Sequence, residues 1–314
     1  LSGSERVEAA VEAGTDYCDL TGEVQWMRRM IDAHQERAEQ TGARIVHACG
    51  FDSIPSDVGT WFTQQRSIER FGEPCIEVRM AVKGVRGGLS GGTAASGIQM
   101  FEEIAEDPSL RKVIGDPYVL APVDLRAGPR QPGMARPTRD ERFESWVAPF
   151  VMAPTNSAVV LRTHALLGRP WGREFTYGET MMTGDGLAGG VAAWGMTAGL
   201  AAFAGAASFG PTRSLLGKVI PKPREGPSEA KHQAGSFDLR FVGRTAGGHE
   251  IHTKVTGDAD PGYGSTAKML GESAVAFLDL DRVGGGFWTP ASAFGDALIE
   301  RLEAHAGIRF DVAP

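Results

Sequence analysis

Along the first seventy residues, apolar positions fall alternately at helical intervals and in short runs. Ser2 and Glu5 have capping-box spacing, Val7, Ala10 and Val11 recur every three or four residues, and Gly14 closes the segment, so a helix is predicted over 4–13. Residues 15–20 form a compact apolar and aromatic run, a strand, and Thr21-Gly22 turns the chain into the next helix. From 23 to 40, Val24, Met27, Ile31, His34 and Ala38 make one stripe, and Gly42 supplies the stop. Residues 44–49 read as a second strand and 50–57 as a turn, with Ser56 or Asp57 placed to cap a third helix through Gln64. Helix, strand, helix, strand, helix is the rhythm of a parallel sheet joined by right-handed crossovers.

After about residue 75 the rhythm changes. Segments 76–85, 157–166, 174–182, 236–246 and 249–257 read as strands, and 94–106, 188–206 and 265–278 as helices. Strands follow one another directly near the end, which predicts a largely antiparallel sheet. Residues 115–140, rich in proline, glycine and arginine, carry no predicted element, and a last helix is expected over 291–304 after Gly284-Gly285-Gly286. The fold class is therefore α/β: a truncated Rossmann-type parallel-sheet domain in 1–75, an α+β substrate and dimerisation domain in 76–277, and a C-terminal segment, 278–314.

A length of 314 residues suits two domains, and 42% hydrophobic with 23% charged residues is a globular composition. The net charge of −7 comes with no long basic run, which argues against nucleic acid as a partner. Cys18, Cys49 and Cys75 form no CxxC pair, so neither a disulfide framework nor a zinc cage is expected, and a reducing cytoplasm fits. The opening Leu-Ser-Gly-Ser, without initiator Met or signal-type apolar core, reads as a truncation point. Between Gly186 and Thr212 no charge occurs, a length sufficient to span a bilayer. Three readings compete: a buried helix packed through small faces, a surface helix or lid meeting lipid or a lipid-like substrate with Lys218, Lys222 and Arg224 beyond it, and a spanning helix, which the Ala/Gly content disfavours.

Two motifs compete for chemistry. Gly262 to Ala267 satisfies G-x-G-x-x-A, but too little chain follows for a dinucleotide domain, and a tight turn near substrate is the alternative. Gly88 to Gly92 satisfies G-x-S-x-G, with Ser90 as nucleophile and Asp260 and His305 in triad order, yet glycines interrupt the strand before it and His305 lies on a predicted helix. The bland alternative is a hinge, with Ser90 or Thr93 capping the next helix. Strand alternation puts His249 and His252 on opposite faces, and His34 and His47 read as structural histidines, so no metal is expected.

In an open parallel sheet the ligand sits beyond the carboxyl ends of the strands, which singles out Thr21, Gly22, Cys49, Gly50 and Asp52 around a cofactor. Asp52, Ser53, Tyr177 and Tyr263 are the candidate proton carriers; the alternative for Asp52 and Ser53 is that they only order the turn before Pro55.

The stretch 14–23 and the stretch 48–57 resemble the saccharopine dehydrogenase-like family, and more narrowly its bacterial branch with the mycobacterial trans-acting enoyl reductases. The resemblance continues through Gly91-Gly92-Thr93, Asp260-Pro261-Gly262-Tyr263, Lys268-Met269-Leu270 and Trp288-Thr289-Pro290. It implies NADP or NAD as cofactor, hydride transfer to or from a small-molecule or carrier-tethered substrate, an enoyl thioester in the narrower branch, and a C-terminal segment returning to the nucleotide domain. The family's glycine-rich pyrophosphate cradle has no counterpart before Gly14. A homodimer and a peripheral membrane contact through 186–212 are compatible with this reading. The competing class is a lipid-surface or partner-docking protein that keeps the fold without turnover.

Overall fold

The computed structural model describes residues 3–87, 91–219, 235–281 and 283–313. Helices α1 (Gly3–Ala13), α2 (Val24–Thr41) and α3 (Ile54–Phe71) alternate with strands β1 (Tyr17–Cys18) and β2 (Arg44–Val46), as the apolar periodicity predicts. Gly42 ends α2 in the left-handed region at φ 81°, its N–H returning to the Ala38 carbonyl. β1 pairs parallel with β2, and β2 pairs parallel with β9 (Gly286–Trp288), a strand contributed from far along the chain. The cap of α3 differs from expectation: Ser53 holds the cap position without a side-chain cap bond, and Ser56 and Asp57 lie inside the helix, buried.

The second sheet has the order β10-β8-β7-β3-β6-β5-β4, formed by β3 (Cys75–Arg86), β4 (Thr138–Asp140), β5 (Ser145–Pro149), β6 (Thr176–Gly184), β7 (Ser236–Thr245), β8 (Glu250–Gly257) and β10 (Ile308–Val312). All its neighbours are antiparallel except β3 and β6. Strand β4 falls within 115–140, where the sequence carried no element. Around the sheets lie α4 (Gly91–Glu106), α5 (Leu110–Gly115), α6 (Ala153–Leu166), α7 (Gly186–Ser208), α8 (Gly210–Val219), α9 (Thr266–Ala276), α10 (Pro290–Phe294) and α11 (Asp296–His305).

Two further departures have clear causes. The segment 157–166 is not a strand but the body of α6, and Asn156 through Ala165 are all buried. A helix wrapped on every side has no polar face, so its 3.6-residue stripe vanishes and the Val159-Val160-Leu161 run imitates a strand. The last helix is broken in two at Gly295, whose φ of 56° ends α10 before α11 begins.

α3 joins the sheets. It leaves the parallel sheet and crosses the antiparallel one, where a Cβ on Gly59 would lie 2.6 Å from Phe241 Cζ. Thr63 Oγ1 lies 2.6 Å from Thr253 Oγ1, and the Gln64 amide brackets Cys75, donating to its carbonyl at 2.9 Å and accepting its N–H at 2.8 Å. One hydrophobic core therefore runs from Val46 and Cys49 through Val58, Phe241 and Val255 to Phe294 and Phe310. Each large apolar side chain fully buried there is worth about 1.5–3 kcal/mol.

Candidate active site

The parallel strands end side by side. Cys49 N–H donates to the Asp19 carbonyl at 2.7 Å, and Asp19 N–H to the Val46 carbonyl, extending the pairing past the strands and bringing the Thr21-Gly22 and Gly50 turns together. Ala48, fully buried, is held at φ 61°, a strained conformation for a residue with a Cβ, at the point where the chain leaves β2. Asp19 braces this corner, its carboxylate accepting from Thr21 N–H at 3.0 Å and lying 2.8 Å from His47 Nδ1. Burial would raise the Asp19 carboxyl, but His47 and the Thr21 N–H hold it below its usual range. His47 is thus a packed, bonded histidine against Trp26 and Phe287.

From Gly50 the chain meets the turn after β8. Phe51 N–H donates to Thr266 Oγ1 at 3.0 Å, and that hydroxyl donates to the Pro261 carbonyl at 2.7 Å. A Cβ on Gly50 would lie 3.2 Å from Thr266 Cγ2. The G-x-G-x-x-A stretch is this turn: Asp260 accepts the Tyr263 N–H at 2.8 Å, and the turn follows a strand with antiparallel partners. It opens no parallel crossover, so it is not a dinucleotide fingerprint. Tyr263, half-buried, sits in this turn beside the Gly50 loop.

Asp52 stands at a narrow cleft lined by Phe51, Met80, Phe150, Met152 and Leu239, with Ser56 and Asn156 as its other polar members. Its carboxyl has no hydrogen-bond partner among the described residues, so it caps no turn. Burial, with the Glu23 carboxylate adding to it, pushes this carboxyl up to about 6. A Cβ on Gly22 would come 3.7 Å from Asp52 Oδ2, which places the first turn against the same group.

Behind the cleft runs a buried chain of polar groups. Ser53 Oγ donates to Asn156 Oδ1 at 3.0 Å, Asn156 Nδ2 donates to Glu179 Oε2 at 2.9 Å, and the Tyr177 hydroxyl donates to Glu179 Oε1 at 2.6 Å. Burial pushes the Glu179 carboxyl up to about 7, against the pull of its donors, and pushes the Tyr177 hydroxyl well above its ordinary value. Tyr177 is fully buried and its hydroxyl is spent on Glu179, behind the residues that line the cleft. Ser53, also fully buried, is likewise one step back. Cys49 reaches the turn only through its backbone; its thiol is buried against the Val46 carbonyl, and burial raises it well above its usual value.

Sequence reasoning missed Asn156 and Glu179, and took Asp57 only as a possible helix cap. Asn156 lies one residue before the segment misread as a strand, where no element was expected. Glu179 had a readable signal, a lone acid two residues from Tyr177 on one face of a buried strand. Asp57 clasps three elements, accepting from Thr163 Oγ1 at 2.5 Å and from the Ala291 N–H at 2.8 Å. Ser90 of the hydrolase motif lies outside the described residues; of its supposed partners, Asp260 is buried on Tyr263 and His305 is exposed. No group of three metal-ligating side chains occurs among the described residues.

No family model matches the chain. A Mycobacterium tuberculosis protein provisionally named a trans-acting enoyl reductase is 40% identical over 315 residues, covering 96% of this chain and 75% of its own length. The trans-acting enoyl reductase of Mycobacterium bovis is 38% identical over 94% of this chain and 74% of its own length. That of Mycobacterium ulcerans is 36% identical, with the same coverages. Among solved structures, apo saccharopine dehydrogenase (L-Glu forming) from Saccharomyces cerevisiae aligns with a TM-score of 0.44 and 14% identity, over 99% of this chain and 82% of that one. With identity of this order spread over nearly its whole length, the chain belongs to the trans-acting enoyl reductase family and is an NAD(P)-dependent oxidoreductase.

Proposed function

We propose that the Asp52 cleft is where the carbon–carbon double bond of a carrier-tethered acyl thioester is reduced, Asp52 supplying the proton. The observation that carries this reading is a carboxyl with a raised pKa and no hydrogen-bond partner among the described residues, set among Phe51, Met80, Phe150, Met152 and Leu239 at the carboxyl ends of parallel strands. A carboxyl held partly protonated near neutral pH is matched to donating a proton to a carbanion-like carbon. The relatives' name supports an enoyl substrate and a carrier that delivers it in trans.

NADH or NADPH would supply the hydride. The Thr21-Gly22 turn is the stretch that would meet a flat ring or ribose, since Gly22 has no Cβ on the side that faces Asp52 and Met152, whereas Gly50 is closed off by Leu20 and Thr266 and shapes the loop behind it. Phe51, Met80 and Leu239 keep water from the reacting carbons. Residues 1–75 with β9 serve the nucleotide side and 76–277 the substrate side, while α6 packs against both sheets.

A second reading concerns location, a cytoplasmic enzyme resting on a membrane. α7 has a mean hydropathy of 1.4 with only 17% of its apolar window buried, and Leu187 and Val191 are 92% and 75% exposed. Among the alternatives for 186–212, a helix lying on lipid or receiving an acyl chain fits this exposure best. The main reading is tested by loss of reduced-nicotinamide absorbance on mixing the protein with a crotonyl thioester; no loss with either dinucleotide refutes it.

A further inference from the structure

We propose that Asn156 binds the carbonyl oxygen of the acyl substrate in the Asp52 cleft, with Glu179 and Ser53 holding its amide in place; the identity of that oxygen rests on the reading above. A primary amide offers two N–H donors and one acceptor. The acceptor takes Ser53 Oγ, and one donor goes to Glu179 Oε2. The second donor has no partner among the described residues, although Asn156 is only 1% exposed and lines the cleft beside Asp52. A buried donor left unmatched costs about 1–3 kcal/mol, an arrangement expected where a ligand brings the acceptor.

With Glu179 ionised, the hydrogen bonds select one orientation of the amide. Turning the amide over would set Asn156 Oδ1 against Glu179 Oε2, and the other Glu179 oxygen is held by the Tyr177 hydroxyl. Tyr177, Glu179 and Ser53 are positioning residues. During reduction, hydride adds to the β-carbon and the alkene electron pair moves through the α-carbon onto the carbonyl oxygen. That oxygen becomes an enolate, and the second Asn156 N–H would donate to it as its charge develops. The carbonyl then re-forms as the α-carbon takes the Asp52 proton: a C–H bond forms, the O–H bond breaks, and Asp52 is left as carboxylate.

Calorimetric titration of the full chain with two probes tests this: a crotonyl thioester of pantetheine, and the butyl thioether of pantetheine, which lacks the carbonyl oxygen. The wild type should prefer the thioester about tenfold, the scale of one hydrogen bond. Asn156→Leu should erase the preference and leave thioether affinity within about twofold. Glu179→Leu, which frees the amide to turn, should shrink it, and Glu179→Gln, whose amide oxygen still accepts from Asn156, should restore it. A preference that survives Asn156→Leu overturns the proposal. If that variant does not fold, equal behaviour of the two Glu179 variants overturns it. A wild type that does not distinguish the probes overturns it too, while wild-type turnover of the crotonyl thioester decides the underlying reading separately.

Discussion

Replacing Asp52 by Asn separates chemistry from folding, because among the described residues no group is hydrogen-bonded to the carboxyl that its loss would orphan. A group titrating at about 6 is about nine-tenths protonated at pH 5 and about one-tenth at pH 7. If Asp52 supplies the proton, turnover of a crotonyl thioester should be level below about pH 6 and fall about tenfold per unit above it. Asp52→Asn should lower turnover at least about tenfold, ~1.4 kcal/mol in the barrier, and flatten this profile. Stability should move the other way. The folded carboxyl is raised above its unfolded value, so its contribution is fully present below about pH 4 and lost as pH rises through about 6. The amide has no charge to bury, so at about pH 8 the variant should melt at or above the wild type. The assay is steady-state nicotinamide absorbance from about pH 5 to about pH 9, with thermal melting in the same buffers. A variant that keeps the wild-type profile, or that loses activity only in step with its melting temperature, refutes the assignment.

Four further outcomes are expected. Asp57→Ala leaves the Ala291 N–H and Thr163 hydroxyl without their carboxylate, and equilibrium unfolding should show a loss of about 1–3 kcal/mol per orphaned group. Burial pushes Asp57 up to about 7, so its contribution, present below about pH 4, is lost as pH rises through about 7; urea midpoints of the wild type should be higher at about pH 5 than at about pH 8. Gly59→Ala sets a methyl 2.6 Å from Phe241 Cζ and should cost about 1–3 kcal/mol in urea unfolding, with no change in substrate KM. Leu187→Asp with Val191→Asp should abolish flotation with anionic-lipid vesicles at unchanged melting temperature; equal flotation would remove α7 from the membrane contact.

Much of the architecture was legible because its determinants are local. The stripes of α1 and α2, the glycine that stops α2, and the short runs of β1 and β2 each report one face against one core, and a face is a property of neighbours in sequence. The uncharged span of α7 was readable in the same way, although its exposure was not. The positions of Asp52 and Gly50 followed from a general rule about parallel strands. What could not be read depended on groups distant in the chain. α6 lost its stripe because both sheets surround it, and β9 is a strand because β2, more than two hundred residues earlier, offers it a free edge. Asn156 and Glu179 become a pair only when α6 is laid against β6. Side-chain pattern determines which face of an element turns inward; which element it meets there is decided by the free energy of the whole core, and so only by the tertiary structure.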